Sequence, residues 1–364
     1  MLVCAALAAP FTMFRTPRFR IRVRTPSKIA ACVLLLTLAA FAQTNQVTTL
    51  IQQGHTALDA EDFPRAVEDF RQARDLAPDN LEANRGLTLS YLQAGALHEA
   101  AEAGRQALAR WPGDAQLQHW IGLVYFKSGE NARAQELLEQ AAKADSHHSE
   151  IHFDLALVLL AQEQYAPAAN ELEQATKLDP SNALAHVLLG RAYQNTNRTL
   201  PAIEQFQTAL RLDPGIRLGH YHLGFAFASL GRNPEAIAEY EKELRLGTNN
   251  PQVFYRLGHC QLETGDLNSA VANLKKAGAL DANSAEVAYD LGKALLLGGD
   301  ALQASASLRQ AISLNPGDPS PHYQLARALE KLGKPEDAKQ ERQRFRELKK
   351  NQPDTGGMAT GRVQ

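Results

Sequence analysis

The chain has 364 residues, 45% hydrophobic and 21% charged, with 24 glycines and 17 prolines, a composition that excludes collagen-like, low-complexity and wholly disordered classes. Its formal net charge of −2 is uneven: residues 1–42 hold Arg15, Arg18, Arg20, Arg22, Arg24 and Lys28 and no acid, which leaves −8 on the remainder. So acidic a body argues against nucleic acid as the main partner.

In chain order, the basic run Arg15 to Lys28 is followed by the apolar stretch Ile29 to Ala42, which ends in Ala40-Phe41-Ala42 before polar Gln43-Thr44-Asn45. That order is the n-region, h-region and small-residue cleavage site of a secretory signal. The apolar stretch is short against the roughly 20 residues that span a bilayer, so residues 1–42 read as a cleaved signal peptide, with an uncleaved membrane anchor as the alternative. The dozen residues before Met13 fit no part of a signal, which makes Met13 a candidate start. Ile29-Ala30-Ala31-Cys32 resembles a lipobox, but its apolar run follows the cysteine instead of preceding it. The expected location is exported, periplasmic or secreted, or membrane-tethered if the leader stays. Cys4 and Cys32 fall in the leader, so the body retains Cys260 alone and no internal disulfide is expected.

After a short linker at 43–46, a period of 34 residues runs from Val47 to Gln352 without insertion or deletion, in nine copies. The repeats start at Val47, Leu81, Ala115, Ser149, Ala183, Arg217, Pro251, Ala285 and Pro319. Column twenty is alanine in every copy, from Ala66 to Ala338, and column eight is small throughout: Gly54, Thr88, Gly122, Ala156, Gly190, Gly224, Gly258, Gly292, Ala326. Two antiparallel helices approach closely only where neither presents a long side chain, so these columns mark the crossing inside one helical hairpin. Large apolar residues recur in columns seven and eleven, one helical face. Gly95, Gly129, Gly231, Gly265, Gly299 and Gly333 share one column with Asn197, where a left-handed C-cap would end the first helix. Prolines such as Pro64 and Pro201 open the second helix, and Pro78, Pro112, Pro180, Pro214 and Pro316 follow it.

Gly54, Ala66, Phe70, Ala73 and Pro78, or Leu189-Gly190, Tyr193, Ala202, Phe206, Ala209 and Pro214, resemble the tetratricopeptide signature in order and spacing. The resemblance implies an all-α fold, an α-solenoid forming a right-handed superhelix over residues 47–350, with binding on a concave face built by the first helices. Ser146, Thr248 and Ala282 depart from the inter-repeat proline, and Glu243 replaces a buried alanine, so the junction between repeats six and seven is expected to be the loosest. The last helix is heavily charged, as a terminal cap requires, and residues 351–364 read as a flexible tail.

His147, His148 and His152, and the ladder His152, His186 and His220, invite a metal reading. The ladder residues sit one repeat apart, on the order of 8–10 Å per helix layer, too far to share an ion. Cys260 falls on a small-residue column and reads as an inert core thiol. No nucleotide-binding loop, nucleophile elbow or zinc-protease helix is present, so no enzyme activity, cofactor or metal is expected.

In the resembled family the fifth and ninth residues of each repeat commonly face the groove. Here they give Tyr221, Tyr255, Tyr289 and Tyr323 in column five and Arg191, Phe225, His259, Lys293 and Arg327 in column nine, with Arg256 alongside. Tyrosine and arginine are the side chains that most often carry binding energy. The competing explanation is that fifth-column tyrosine simply supports helix packing. The lysine, asparagine and arginine set with which one subclass clamps chaperone tails is absent. The expectation is a monomeric, non-catalytic scaffold that holds proteins or peptides; the alternative is a substrate-selecting subunit of an envelope enzyme or export machine.

Overall fold

The computed structural model describes residues 28–351. Met13, the run Arg15 to Arg24 and the tail beyond Asn351 lie outside them. Among the described residues there are eighteen helices and no strand. They are α1 (Lys28–Asp59), α2 (Phe63–Leu76), α3 (Leu81–Gln93), α4 (Leu97–Arg110), α5 (Ala115–Lys127), α6 (Asn131–Ala144), α7 (Ser149–Ala161), α8 (Tyr165–Leu178) and α9 (Ala183–Asn195). There follow α10 (Thr199–Leu212), α11 (Gly219–Ser229), α12 (Asn233–Arg245), α13 (Pro251–Thr264), α14 (Leu267–Leu280), α15 (Ala285–Leu297), α16 (Ala301–Leu314), α17 (Pro319–Lys331) and α18 (Pro335–Asn351). No described helix is long and apolar enough to cross a membrane.

The chain divides into two compact units, residues 1–87 and 88–364. In the first, α1 continues unbroken through residues 43–46, so the segment expected to be a linker is helical. Its core gathers Val47, Leu50, Ala73 and Ala83. The Phe70 ring fills the space left by Gly54 and Gly86, and a Cβ on Gly54 would lie 2.7 Å from it.

In the second unit odd and even helices pair as hairpins, each hairpin packs on the next, and the odd helices of successive hairpins touch, the arrangement of an α-solenoid. The crossing of each hairpin is a volume match. Gly190 faces Phe206 and Gly224 faces Tyr240, with a Cβ at either position 2.5–2.8 Å from the ring. Gly122, Gly258 and Gly292 face Leu138, Leu274 and Leu308. Gly104, on a second helix, makes room chiefly for Ile121 of the next hairpin, and Thr88 of its own hairpin lies 3.2 Å from where its Cβ would be. Column twenty contributes differently from the expectation: the alanine backbone carbonyls, such as that of Ala236, come 3.2–3.4 Å from where such a Cβ would be, so alanine keeps the two backbones close.

The expected left-handed cap is realised in all nine hairpins. Positive φ occurs at the six glycines and Asn197, and also at Glu61 (57°) and Glu163 (58°), which occupy the same column without glycine's freedom. Six of the first helices from α3 onward are capped by the residue before the repeat: Asn80, Asp114, Asn182, Asn250, Ser284 and Asp318 each accept a backbone N–H from the helix they precede.

Repeats four and six lack such a cap: His148 makes no cap bond, and in repeat six the two residues that pointed to a weak junction, Glu243 and Thr248, are themselves engaged. The cap column of repeat six holds Ile216, which has no acceptor, and α11 starts late, after Leu218 at φ 61°. The carboxylate of Glu243, 1% exposed, reaches across the hairpin and accepts from Leu218 N and Tyr221 N, both 3.3 Å, and from Thr248 Oγ1 at 2.8 Å. The acid in the alanine column replaces the missing cap, and Thr248 in the proline column helps hold it there.

Candidate functional site

The first helices of repeats five to nine, α9, α11, α13, α15 and α17, position the expected binding residues. Tyr221, Tyr255 and Tyr289 are half-buried and Tyr323 is exposed. Their rings are partly engaged by the fold: Tyr221 lies 6.0 Å from the Tyr240 ring, Tyr255 6.0 Å from His259, and Tyr323 5.4 Å from Phe345 on α18. Packing and exposure therefore share this column. Tyr255, His259, Tyr289 and Asp290 line a pocket of about 270 Å³ closed by Asp318 and Pro321 of the next repeat.

A second register, not visible as a motif, joins the repeats. Column nine of one repeat meets column six of the next. Phe225 lies under the Arg256 guanidinium, 4.9 Å from ring centroid to Cζ. His259 Nδ1 hydrogen-bonds Asp290 Oδ2 at 2.8 Å, which raises the imidazole pKa above its ordinary value. Arg191 faces His222, whose pKa is held down to about 3, first by burial and then by the arginine charge. Burial, and then the charge of Asp290, push the Tyr255 phenol up.

These contacts sort the expected cations into two kinds. Lys293 Nζ donates to Glu263 Oε1 at 3.0 Å, and that bond holds Glu263 below its usual range. Arg327 donates to Gln324 at 3.0 Å, and His259 is held by Asp290. Arg191 and Arg256 make no ion pair among the described residues, and the buried Nε of each lacks an acceptor. Sequence reasoning named both arginines but missed His222, Asp290 and Tyr240, whose buried hydroxyl also has no partner.

The histidine ladder serves the fold. His152, His186, His220 and His322 each use Nδ1 on the residue nineteen positions on, in the second helix of the same hairpin: Glu171, Gln205, Glu239 and Glu341, at 2.5–2.7 Å. His152 and His186 also use Nε2 on the carbonyls of Ser146 and Pro180, leaving neither ring nitrogen for an ion. His147 turns to Ser146 and His148 to the His119 ring, so the three-histidine cluster diverges. Cys260 is buried, and desolvation raises its thiol pKa to about 11, the state of an unreactive core sulfur.

Tetratricopeptide repeat models match residues 51–115, 121–183, 153–199, 188–251 and 255–319, and a second model of the same description matches 295–354. No curated protein matches the chain. Among solved structures, the Cut9–Hcn1 hetero-tetramer of APC/C is similar at 18% identity and TM-score 0.50, over 73% of this chain and 52% of that one. Pseudomonas aeruginosa pilF is similar at 22% identity and TM-score 0.49, over 57% and 94% of the two chains. YrrB, described as a TPR protein with an unusual peptide-binding site, is similar at 21% and 0.47, over 50% and 94%. At these identities the likeness is one of fold. With repeat models covering most of its length, hairpin after hairpin in one register, the chain belongs to the tetratricopeptide repeat family.

Proposed function

We propose that this chain is a non-catalytic scaffold that holds an extended segment of another protein along the first-helix face of repeats five to nine. Tetratricopeptide arrays are protein-interaction scaffolds. The observation that carries the placement is the tyrosine column. Tyr221, Tyr255, Tyr289 and Tyr323 recur once per repeat and keep part of each ring outside the core. A stack of half-exposed aromatic rings offers a partner large contact area at low entropy cost. The pocket between Tyr255 and Tyr289 would take one side chain of that partner.

The test is crosslinking of the full chain in its native cells, followed by mass spectrometry, for the wild type and for Tyr255→Ala/Tyr289→Ala. Crosslinks should concentrate on α11, α13, α15 and α17, and the double variant should lose its partners while keeping its helical circular dichroism. An unchanged partner set would remove the site from this face. We propose an exported protein as well, on the order of charge, apolar run and small residues in the leader. N-terminal sequencing from the native host should find a start near Gln43; a start at Met1 or Met13 in a soluble cytoplasmic fraction would count against export.

A further inference from the structure

We infer that the pocket lined by Tyr255 and Tyr289 takes a lysine or arginine side chain of the held segment, its charge against Asp290 and Asp318 and its stem along the two rings. The inference rests on the groove reading above and specifies which side chain enters.

The pocket, about 270 Å³, has room for one long side chain. Three carboxylates line it, Glu286, Asp290 and Asp318, and no lysine or arginine does. The hydrogen bonds these acids make among the described residues engage one oxygen each, and none comes from an ammonium or a guanidinium. Asp290 Oδ2 accepts from His259 Nδ1 at 2.8 Å, Asp318 Oδ1 from Ser320 N at 2.8 Å, and Glu286 Oε2 from the Ser284 hydroxyl at 3.1 Å. Even with His259 protonated, a single imidazolium faces three carboxylates, so the pocket stays negative. Asp290 is only 5% exposed, and a buried carboxylate is costly until a full counter-charge joins it. By contrast Glu263 and Glu330, both outside the pocket, already hold Lys293 and Arg342.

The concentration of acid is local. Columns two, six and thirty-four are all acidic in repeat eight alone. One repeat earlier the same columns hold Gln252, Arg256 and Ser284, and one repeat later Ser320, Gln324 and Gln352. The hairpin itself does not require acid there: column six is Trp120 or Leu188 elsewhere, and Asn182 and Asn250 cap their helices as Asp318 does. The aromatic walls complete the match. The Tyr255 phenol is held protonated first by burial and then by the charge of Asp290, with Glu286 adding to it and Arg256 opposing, so both acids act on the same wall of the pocket. Tyrosine faces attract a cation and cover the methylenes behind it. A carboxylate would meet three others here, and an apolar side chain would strip water from them without replacing it.

A library of random dodecapeptides displayed on phage and selected on the immobilised full chain tests this. Selected peptides should be enriched in Lys or Arg at one position, and replacing that residue by Gln should weaken binding, read by fluorescence anisotropy, about tenfold or more. Asp290→Asn/Asp318→Asn keeps both shapes and the helix cap; it should weaken the basic peptide by a similar factor and leave the Gln peptide unaffected. Glu241→Gln, at an exposed acid of α12, should bind both as the wild type does. Glu286→Lys, at an exposed position, guards against misfolding of the double variant and should also weaken the basic peptide about tenfold, by repulsion. A basic preference that survives both variants reports the acidic body at large and overturns the pocket, as do binders without basic enrichment. Tyr221→Ala/Tyr323→Ala tests the groove apart from the pocket, which neither ring lines. Peptides weakened by that pair but within twofold of wild type on the Asn variant keep the groove and overturn the basic anchor. Peptides indifferent to the pair yet weakened by the Asn variant keep the pocket and overturn the extended groove, and a library yielding no binder overturns both.

Discussion

Glu61 and Glu163 hold a left-handed backbone that glycine or asparagine holds in the other seven hairpins. A side chain there meets its own carbonyl, a cost glycine avoids. Glu163→Gly should therefore stabilise the hairpin of α7 and α8 by roughly 0.5–1 kcal/mol, even after the extra freedom glycine gains in the unfolded chain. Urea titration followed by hydrogen exchange in α7 and α8 measures it; a loss of protection there would contradict the strain. At His222 the quantity is protonation. Its pKa is about 3 in the fold against 6.5 as the ordinary value, so the folded state refuses a proton that the unfolded state accepts. Stability is complete above pH 6.5 and is lost as pH falls from there toward 3, by on the order of 3 kcal/mol near pH 4. His222→Phe keeps the ring stacked 5.6 Å from Phe206 and should flatten that acid slope, seen as exchange protection of α11 that no longer falls between pH 7 and pH 4. The raised pKa of His259 acts in the opposite sense: its bond to Asp290 stabilises fully below the ordinary value and fades as pH rises through the raised one.

Helices in this chain are stabilised by what the neighbouring helix lends them, and repeat six makes the loan visible. Alanine fills the Glu243 column in seven of the other repeats, so alanine would read as a restoration there. The hydrogen bonds argue otherwise. Glu243→Ala leaves the first turn of α11 with no acceptor, since Ile216 cannot replace Asn or Asp, and should destabilise by roughly 1–3 kcal/mol. Ile216→Asp should recover part of that in the double variant. Thermal unfolding followed by circular dichroism decides; an unchanged or raised midpoint for Glu243→Ala would mean the carboxylate caps nothing of consequence. The helices themselves were legible in the sequence, because alanine, glycine and proline columns act within one hairpin and repeat at a fixed spacing. The capping role of Glu243 was not legible, because it joins residues 25 positions apart, which no column displays.

Across the chain, the tetratricopeptide array was legible from its uninterrupted period, and the face that carries the tyrosines from column counting. What column counting could not give is which cations are spent. Lys293 and Arg191 occupy the same column, yet one is tied to Glu263 and the other to nothing acidic. That difference depends on the distance between helices of successive repeats, and so do the pairs of column nine with column six. The volume matches at the hairpin crossings behave differently, because both partners lie within a single repeat: Gly122 with Leu138, Gly190 with Phe206, Gly224 with Tyr240. The two kinds of pair respond differently to gene rearrangement. A recombination that removes 34 residues between hairpins leaves every remaining crossing intact, whereas one that cuts inside a hairpin would set Thr88 against Leu138, two bulky partners with no space for both. The first kind of event still joins new neighbours across the seam and so can redraw the first-helix face while sparing the fold. Unequal crossing-over in the inter-hairpin turns is thus a tolerated route by which such an array changes partners.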